Sequence, residues 1–256
     1  MPARSGITHT WQITGGTITS AVTGENITFQ AGSSGSISLT VTAKTACNLS
    51  ASSTATVGII LPPPATVSAT TQSNRIVQVS WAAVPNAASY RIERAVQLNG
   101  QTVWSTTVNA PATSYTDETP ASSLPVTYIY YVRAVDSANV LSDRGPFDDA
   151  TTATQLYAQP TLTPLVTPVK AMDVVELRRA IDALRYAVNL PPVFQSTPAP
   201  SGVIYAMHFT ALINALSPAR TALGRVPFVY VNNVPLPAPG GPILAEQVRQ
   251  LREALR

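Results

Sequence analysis

Along the first part of the chain apolar side chains alternate with Ser, Thr and Gln. Ile27 and Phe29, then Ile37, Leu39 and Val41, fall at a spacing of two. That period sends successive side chains to opposite faces of a strand. Gly15-Gly16, Gly24, Gly32 and Gly35 punctuate the runs. Short alternating strands separated by turn signals predict an antiparallel β-sandwich. The alternation returns at Ile76, Val77, Val79 and Trp81, at Tyr90 and Ile92, and at Tyr128, Tyr130, Val132 and Ala134. Pro62-Pro63-Pro64 stands between the two blocks as a stiff, extended spacer.

From Gln159 onward the apolar period moves toward 3.6. Three segments align without gaps at offsets of 35 and 39 residues: VKAMDVVELRRAID from Val169, IYAMHFTALINALS from Ile204 and ILAEQVRQLREALR from Ile243. Val174, Leu177, Ile181, Leu184 and Val188 form one stripe. Phe209, Leu212, Leu216, Ala219 and Leu223 form the second, and Val248, Leu251 and Leu255 the third. These are amphipathic helices packed through their stripes. Asn189 and Gly224 occupy matching places where a left-handed residue ends a helix. Pro218 falls inside the second pattern, where it is expected to kink or split the helix.

The composition excludes several classes. Hydrophobic residues make up 45% of the 256, and charged residues only 11%. That is no coiled coil, charge-rich disordered chain or nucleic-acid-binding surface, for which a surplus of three positive charges is too small. The single Cys47 rules out an intrachain disulfide and a multi-thiolate metal site. The longest apolar stretch, Val57 to Leu61, is too short to span a bilayer. Arg4 is not followed by the apolar run of a signal peptide.

The first block resembles the PKD-like, immunoglobulin-like modules of bacterial surface proteins. WQITGGTITS from Trp11, ENITFQAGSSGSISLTVTAKTAC from Glu25 and ATVGI near Val57 carry the resemblance. It implies one or two further strands before Trp11, so the module is expected to lack its first strands. The second block resembles a fibronectin type III domain in VQVSWAAVPNAASYRIERA from Val77, TSYTDETP from Thr113 and TYIYYVRAVDSANVLSD from Thr127. This resemblance implies that Trp81 fills the core and that Tyr128 is the tyrosine corner, its hydroxyl bonded to backbone. The three repeats resemble C-terminal helical modules that follow fibronectin-like domains in large secreted bacterial proteins.

The residues that could carry chemistry are scattered. His9 has no carboxylate or thiol nearby in sequence, and His208 stands where Asp173 and Gln247 stand in the sister repeats. A position that takes three polar residue types reads as a helix-start site. Asp148-Asp149 is an adjacent acid pair in an expected loop, without the further oxygen ligands that calcium needs. Cys47 reads as an ordinary half-buried thiol, Glu176-Leu177-Arg178-Arg179 as a solvated helix face, and Gly32-Ser33-Ser34-Gly35 lacks the Lys of a phosphate loop. No cofactor or metal is called for. Trp104, outside the fibronectin pattern, is the candidate exposed aromatic contact.

The expected fold is mainly β, with two immunoglobulin-like or fibronectin type III sandwiches in tandem and a small α-helical repeat domain. The division is 1–61, 62–155, a Pro-rich linker 156–168, and 169–256. The expected role is a non-catalytic structural or adhesive protein of the bacterial surface, a spacer and scaffold outside the cell. Its expected partners are proteins, among them homo-oligomer or filament neighbours, and surface polysaccharide, with no nucleic acid and no membrane span. The alternatives are an accessory C-terminal region of a larger secreted enzyme or toxin-delivery protein, and a carbohydrate-binding module.

Overall fold

A computed structural model describes residues 6–32, 35–153, 157, 159, 161–163, 167–194, 203–232, 234–239 and 241–255. Arg4, the Ser33-Ser34 turn and part of the expected linker lie outside the described residues.

The alternating N-terminal block forms β1 (Ile7–Thr14), β2 (Gly16–Ile18), β3 (Phe29–Ala31), β4 (Gly35–Thr45) and β5 (Ser50–Ile59). β4 lies between β1 and β5, all antiparallel, and β2 pairs with β3. Gly15 joins β1 to β2 at φ +80°, and a Cβ there would stand 2.0 Å from the Ser36 carbonyl oxygen. Only a glycine makes that corner. The register sets Ile13, Leu39 and Ala55 side by side, and Trp11 beside Val41. The opposite face is a hydroxyl ladder in which Ser38 bonds Thr56 (2.6 Å), Thr40 bonds Thr54 (2.9 Å) and Thr42 bonds Ser52 (2.8 Å). The block is a three-stranded sheet with the β2-β3 hairpin packed beside β1. Ile37 is its one buried side chain among the described residues.

The second block forms β6 (Val67–Ser73), β7 (Ile76–Trp81), β8 (Ser89–Ala95), β9 (Thr102–Asn109), β10 (Ser114–Glu118), β11 (Val126–Val135) and β12 (Phe147–Thr152). One sheet runs β10-β7-β6 and the other β12-β11-β8-β9, the strand arrangement of a fibronectin type III sandwich. Val77, Val79, Trp81, Tyr90, Ile92, Tyr128, Tyr130 and Val132 fill the space between them. Trp81 is a core residue as its pattern implied. The tyrosine-corner expectation is corrected: among the described residues it is the Tyr90 and Tyr131 hydroxyls that bond to backbone, accepting from the Val84 amide at 2.7 Å and the Asn99 amide at 3.0 Å. Tyr128 instead presents its ring to the Arg94 guanidinium, 4.8 Å from the centroid.

The repeats form α1 (Ala171–Ala187), α2 (Ala206–Ala222) and α3 (Ala245–Glu253). Leu177, Leu212 and Leu251 are all fully buried in one shared core. The varied helix-start position does one job three times. Asp173 accepts from the Lys170 amide (2.7 Å), His208 Nδ1 from the Tyr205 amide (3.1 Å) and Gln247 from the Leu244 amide (2.9 Å). Asn189 (φ 61°) and Gly224 (φ 74°) are the left-handed exits. The amides of Leu190 and Arg225 bond back to the carbonyls of Arg185 and Arg220, closing a Schellman turn on each helix. Those two arginines are also equivalent. Arg185 donates to the Pro191 carbonyl of its own exit loop and to Ala215 of α2, both at 2.8 Å. Arg220 donates to Val226 (2.9 Å) and to Ala254 beyond α3 (2.6 Å).

Four local expectations differ. α2 is not split at Pro218, with Ala215, Leu216 and Ala219 buried around it. Asp148 and Asp149 lie inside β12 and not in a loop. Glu176 and Arg178 are buried, Glu176 facing Arg252 at 3.4 Å and Arg178 lying over the Phe194 ring. The Cys47 thiol is exposed in the turn between β4 and β5.

Candidate interaction surfaces

Arg94 lies at the end of β8 and Asp117 in β10, so their side chains meet between the two sheets. Arg94 Nη1 stands 2.6 Å from Asp117 Oδ2, and both residues are buried. The Tyr130 hydroxyl donates to the same oxygen at 2.7 Å. Burial and the adjacent Asp117 carboxylate both push the Tyr130 hydroxyl pKa far above its ordinary value, so it stays a donor. The Arg94 guanidinium is sandwiched between the Trp104 and Tyr128 rings, 4.9 and 4.8 Å from their centroids. Trp104 is therefore half-buried, with Arg94 against one part of the ring and Tyr115 5.9 Å away. The remainder of its indole reaches the surface of β9.

A second site joins the sandwich to the helices. Ile129 and Tyr131 point away from the sandwich core, and with Ala95 they bury Ala187 of α1. The sequence carried a signal for this contact, because YIYYV breaks the alternation that a half-buried strand would keep. The Leu98 amide donates to the Ala187 carbonyl at 2.6 Å, and Asn189 Nδ2 to the Leu98 carbonyl at 3.2 Å. Arg225, at the left-handed exit of α2, reaches β12. Its Nη2 lies 2.6 Å from both Asp148 Oδ1 and Asp149 Oδ1, but only the Asp148 contact has hydrogen-bond direction. Burial raises the Asp149 carboxyl to about 6, against the opposing pull of Arg225.

Beside this joint a cleft of about 910 Å³ opens between β11 and α1. Val96, Leu124, Val126 and Phe194 line it, with Arg178 and Arg179 at its helical wall. The Asp182 carboxylate in that wall is taken up by the Val193 and Phe194 amides, at 2.7 and 2.9 Å. Apolar walls with guanidinium edges suit a group that has an apolar body and an anionic end.

The remaining candidates stay apart. His9 lies on β1, His208 caps α2, and Cys47 sits in its turn, so the structure brings none of them together. No group of three His, Cys, Asp or Glu side chains able to hold a metal occurs among the described residues. Among them, too, no helix is long and apolar enough to cross a membrane.

No family model matches the chain. No curated protein matches it. Among solved structures it is similar to a two-domain fibronectin type III segment of chicken tenascin, at 15% identity over 60% of this chain and 87% of that one, with a TM-score of 0.39. It is also similar to an Fn3-like protein from Clostridium thermocellum, at 28% identity over 37% of this chain and 93% of that one, with a TM-score of 0.29. An FN3 domain of human collagen XX has 21% identity, 38% and 99% coverage and a TM-score of 0.30. The fold is mainly β with a few C-terminal helices.

Proposed function

We propose that the chain is a non-catalytic structural or adhesive part of a bacterial surface protein, a spacer and interaction scaffold outside the cell. The observation that carries this reading is the joint between sandwich and helices. Ala187 is buried against Ile129 and Tyr131, and Arg225 is ion-paired to two acids of β12. Such a contact sets one angle between two units, which a spacer requires and a passive tether does not. Polysaccharide contact by such a scaffold would fall to the surface part of Trp104.

Small-angle scattering of the whole chain, alongside Arg225→Ala, tests the spacer. One narrow distribution of dimensions, broadened in the variant, is expected. A wild-type distribution as broad as the variant's defeats the reading. Antibody labelling of intact producing cells tests the location, and labelling only after lysis would refute it.

A further inference from the structure

We propose that the apolar face of the β1-β4-β5 sheet is closed by the same face of a second copy of this chain, the two layers making one sandwich about a two-fold axis. This goes beyond the spacer reading and does not depend on it.

Only one face of the sheet requires cover. The even-numbered side chains of β4 and β5 satisfy one another as hydroxyl pairs and are at home in water. The odd-numbered positions of β1, β4 and β5 set His9, Trp11, Ile13, Ile37, Leu39, Val41 and Val57 on the other side; Ile37 is buried, His9, Trp11, Ile13, Leu39 and Val41 are half-buried, and Val57 is 65% exposed. Among the described residues the strands of this sheet make no substantial packing contact with the fibronectin-type sandwich or the helices. The β2-β3 hairpin folds against the Ile13, Ile37 and Ile59 end of the face, and the remainder is left without a covering layer.

The chemistry of the face selects its occupant. Glu25 and Lys44 are the charged residues of 6–60; Glu25 lies outside β1, β4 and β5, and Lys44 is in register with Thr8 and Ser50 on the hydroxyl side. A partner with charges would find nothing here to pair with, and its desolvation would oppose docking. A second copy presents a surface that is equally uncharged and apolar, of the same size and with the same hand of twist. Two such sheets stack face to face about 10 Å apart. A two-fold axis makes the patch its own complement.

Three strands about 8 residues long give a footprint of roughly 26 by 14 Å. Two copies then bury on the order of 1,000 Å² in all once side-chain relief is included, the lower limit for a specific interface. The contact is therefore a weak, concentration-dependent dimer.

Analytical ultracentrifugation of the whole chain from about 1 µM to about 500 µM reads the dimer directly. Val57→Lys places an ammonium on the face and is expected to weaken association at least about tenfold. Thr54→Lys, on the same strand but the hydroxyl side, should leave it within about twofold. Both positions are exposed on an outer strand, and the unfolding transition of the fibronectin-type sandwich serves as a folding control. A chain that stays monomeric throughout overturns the proposal. So does a dimer broken by Thr54→Lys and spared by Val57→Lys, which would put the contact on the hydroxyl face.

Discussion

The guanidinium of Arg94 and the carboxylate of Asp117 meet 2.6 Å apart in the middle of the sandwich, where the strand pattern called for apolar side chains. The pair spans both sheets. It is tolerated because Tyr130 supplies a further hydrogen bond and two aromatic rings cover the cation.

Removing one partner strands the other. Arg94→Ala is expected to destabilise the sandwich by about 3–5 kcal/mol in denaturant titration. The double change Arg94→Met with Asp117→Leu should recover most of that loss. A single variant within about 1 kcal/mol of wild type would show that the pair is not shielded from water.

Trp81 occupies the same core and packs 5.4 Å from Tyr90, centroid to centroid. Trp81→Ala leaves a cavity and should cost about 3–5 kcal/mol. The far-ultraviolet signal of α1 to α3 should unfold at the same denaturant concentration as the sandwich, because the two share the joint at Ala187.

Asp149 gives that joint a pH dependence of definite sign. Its carboxyl is raised from 3.8 to about 6, so between those values the folded chain holds more proton than the unfolded one. Stability from this group is fully present below about pH 4 and is lost as pH rises through about 6. Asp149→Asn should remove that slope and stabilise the chain at pH 7 by about 1–3 kcal/mol, with Arg225 still held by Asp148. Thermal unfolding at pH 4, 5, 6 and 7 reads both effects, and a wild-type stability rising over this range would contradict the assignment.

His208 fills with an imidazole the capping place that Asp173 fills with a carboxylate. His208→Asp adds a negative charge at the α2 N-terminus and within reach of the Arg178 field that lowers the imidazole pKa after burial does. A gain of about 0.5–1 kcal/mol is expected, and His208→Ala should lose about 0.5–2 kcal/mol.

What could be read from the sequence was what local periodicity controls. A period of two found the strands and Trp81, and the gapless repeats located Leu177, Leu212 and Leu251 and both left-handed exits. Features that depend on which strands become neighbours were invisible. Arg94 and Asp117 are brought together by sheet packing, and the hydroxyls that bond backbone proved to be those of Tyr90 and Tyr131. Asp148 and Asp149 read as loop residues because their pairing with β11 and their contact with Arg225 both come from distant chain. Pro218 shows the same limit in reverse, since packing along α2 keeps the helix unsplit there.

The hydroxyl ladder on β4 and β5 has a consequence for how this surface meets its surroundings. Each cross-strand pair spends one hydroxyl proton on its neighbour and turns the other outward, so this side of the sheet is wetted by dipoles, with Lys44 its one ion among the described residues. Mobile salt screens ions and leaves dipoles at contact distance untouched. A sheet hydrated in this manner holds the same water in a dilute medium and in brine.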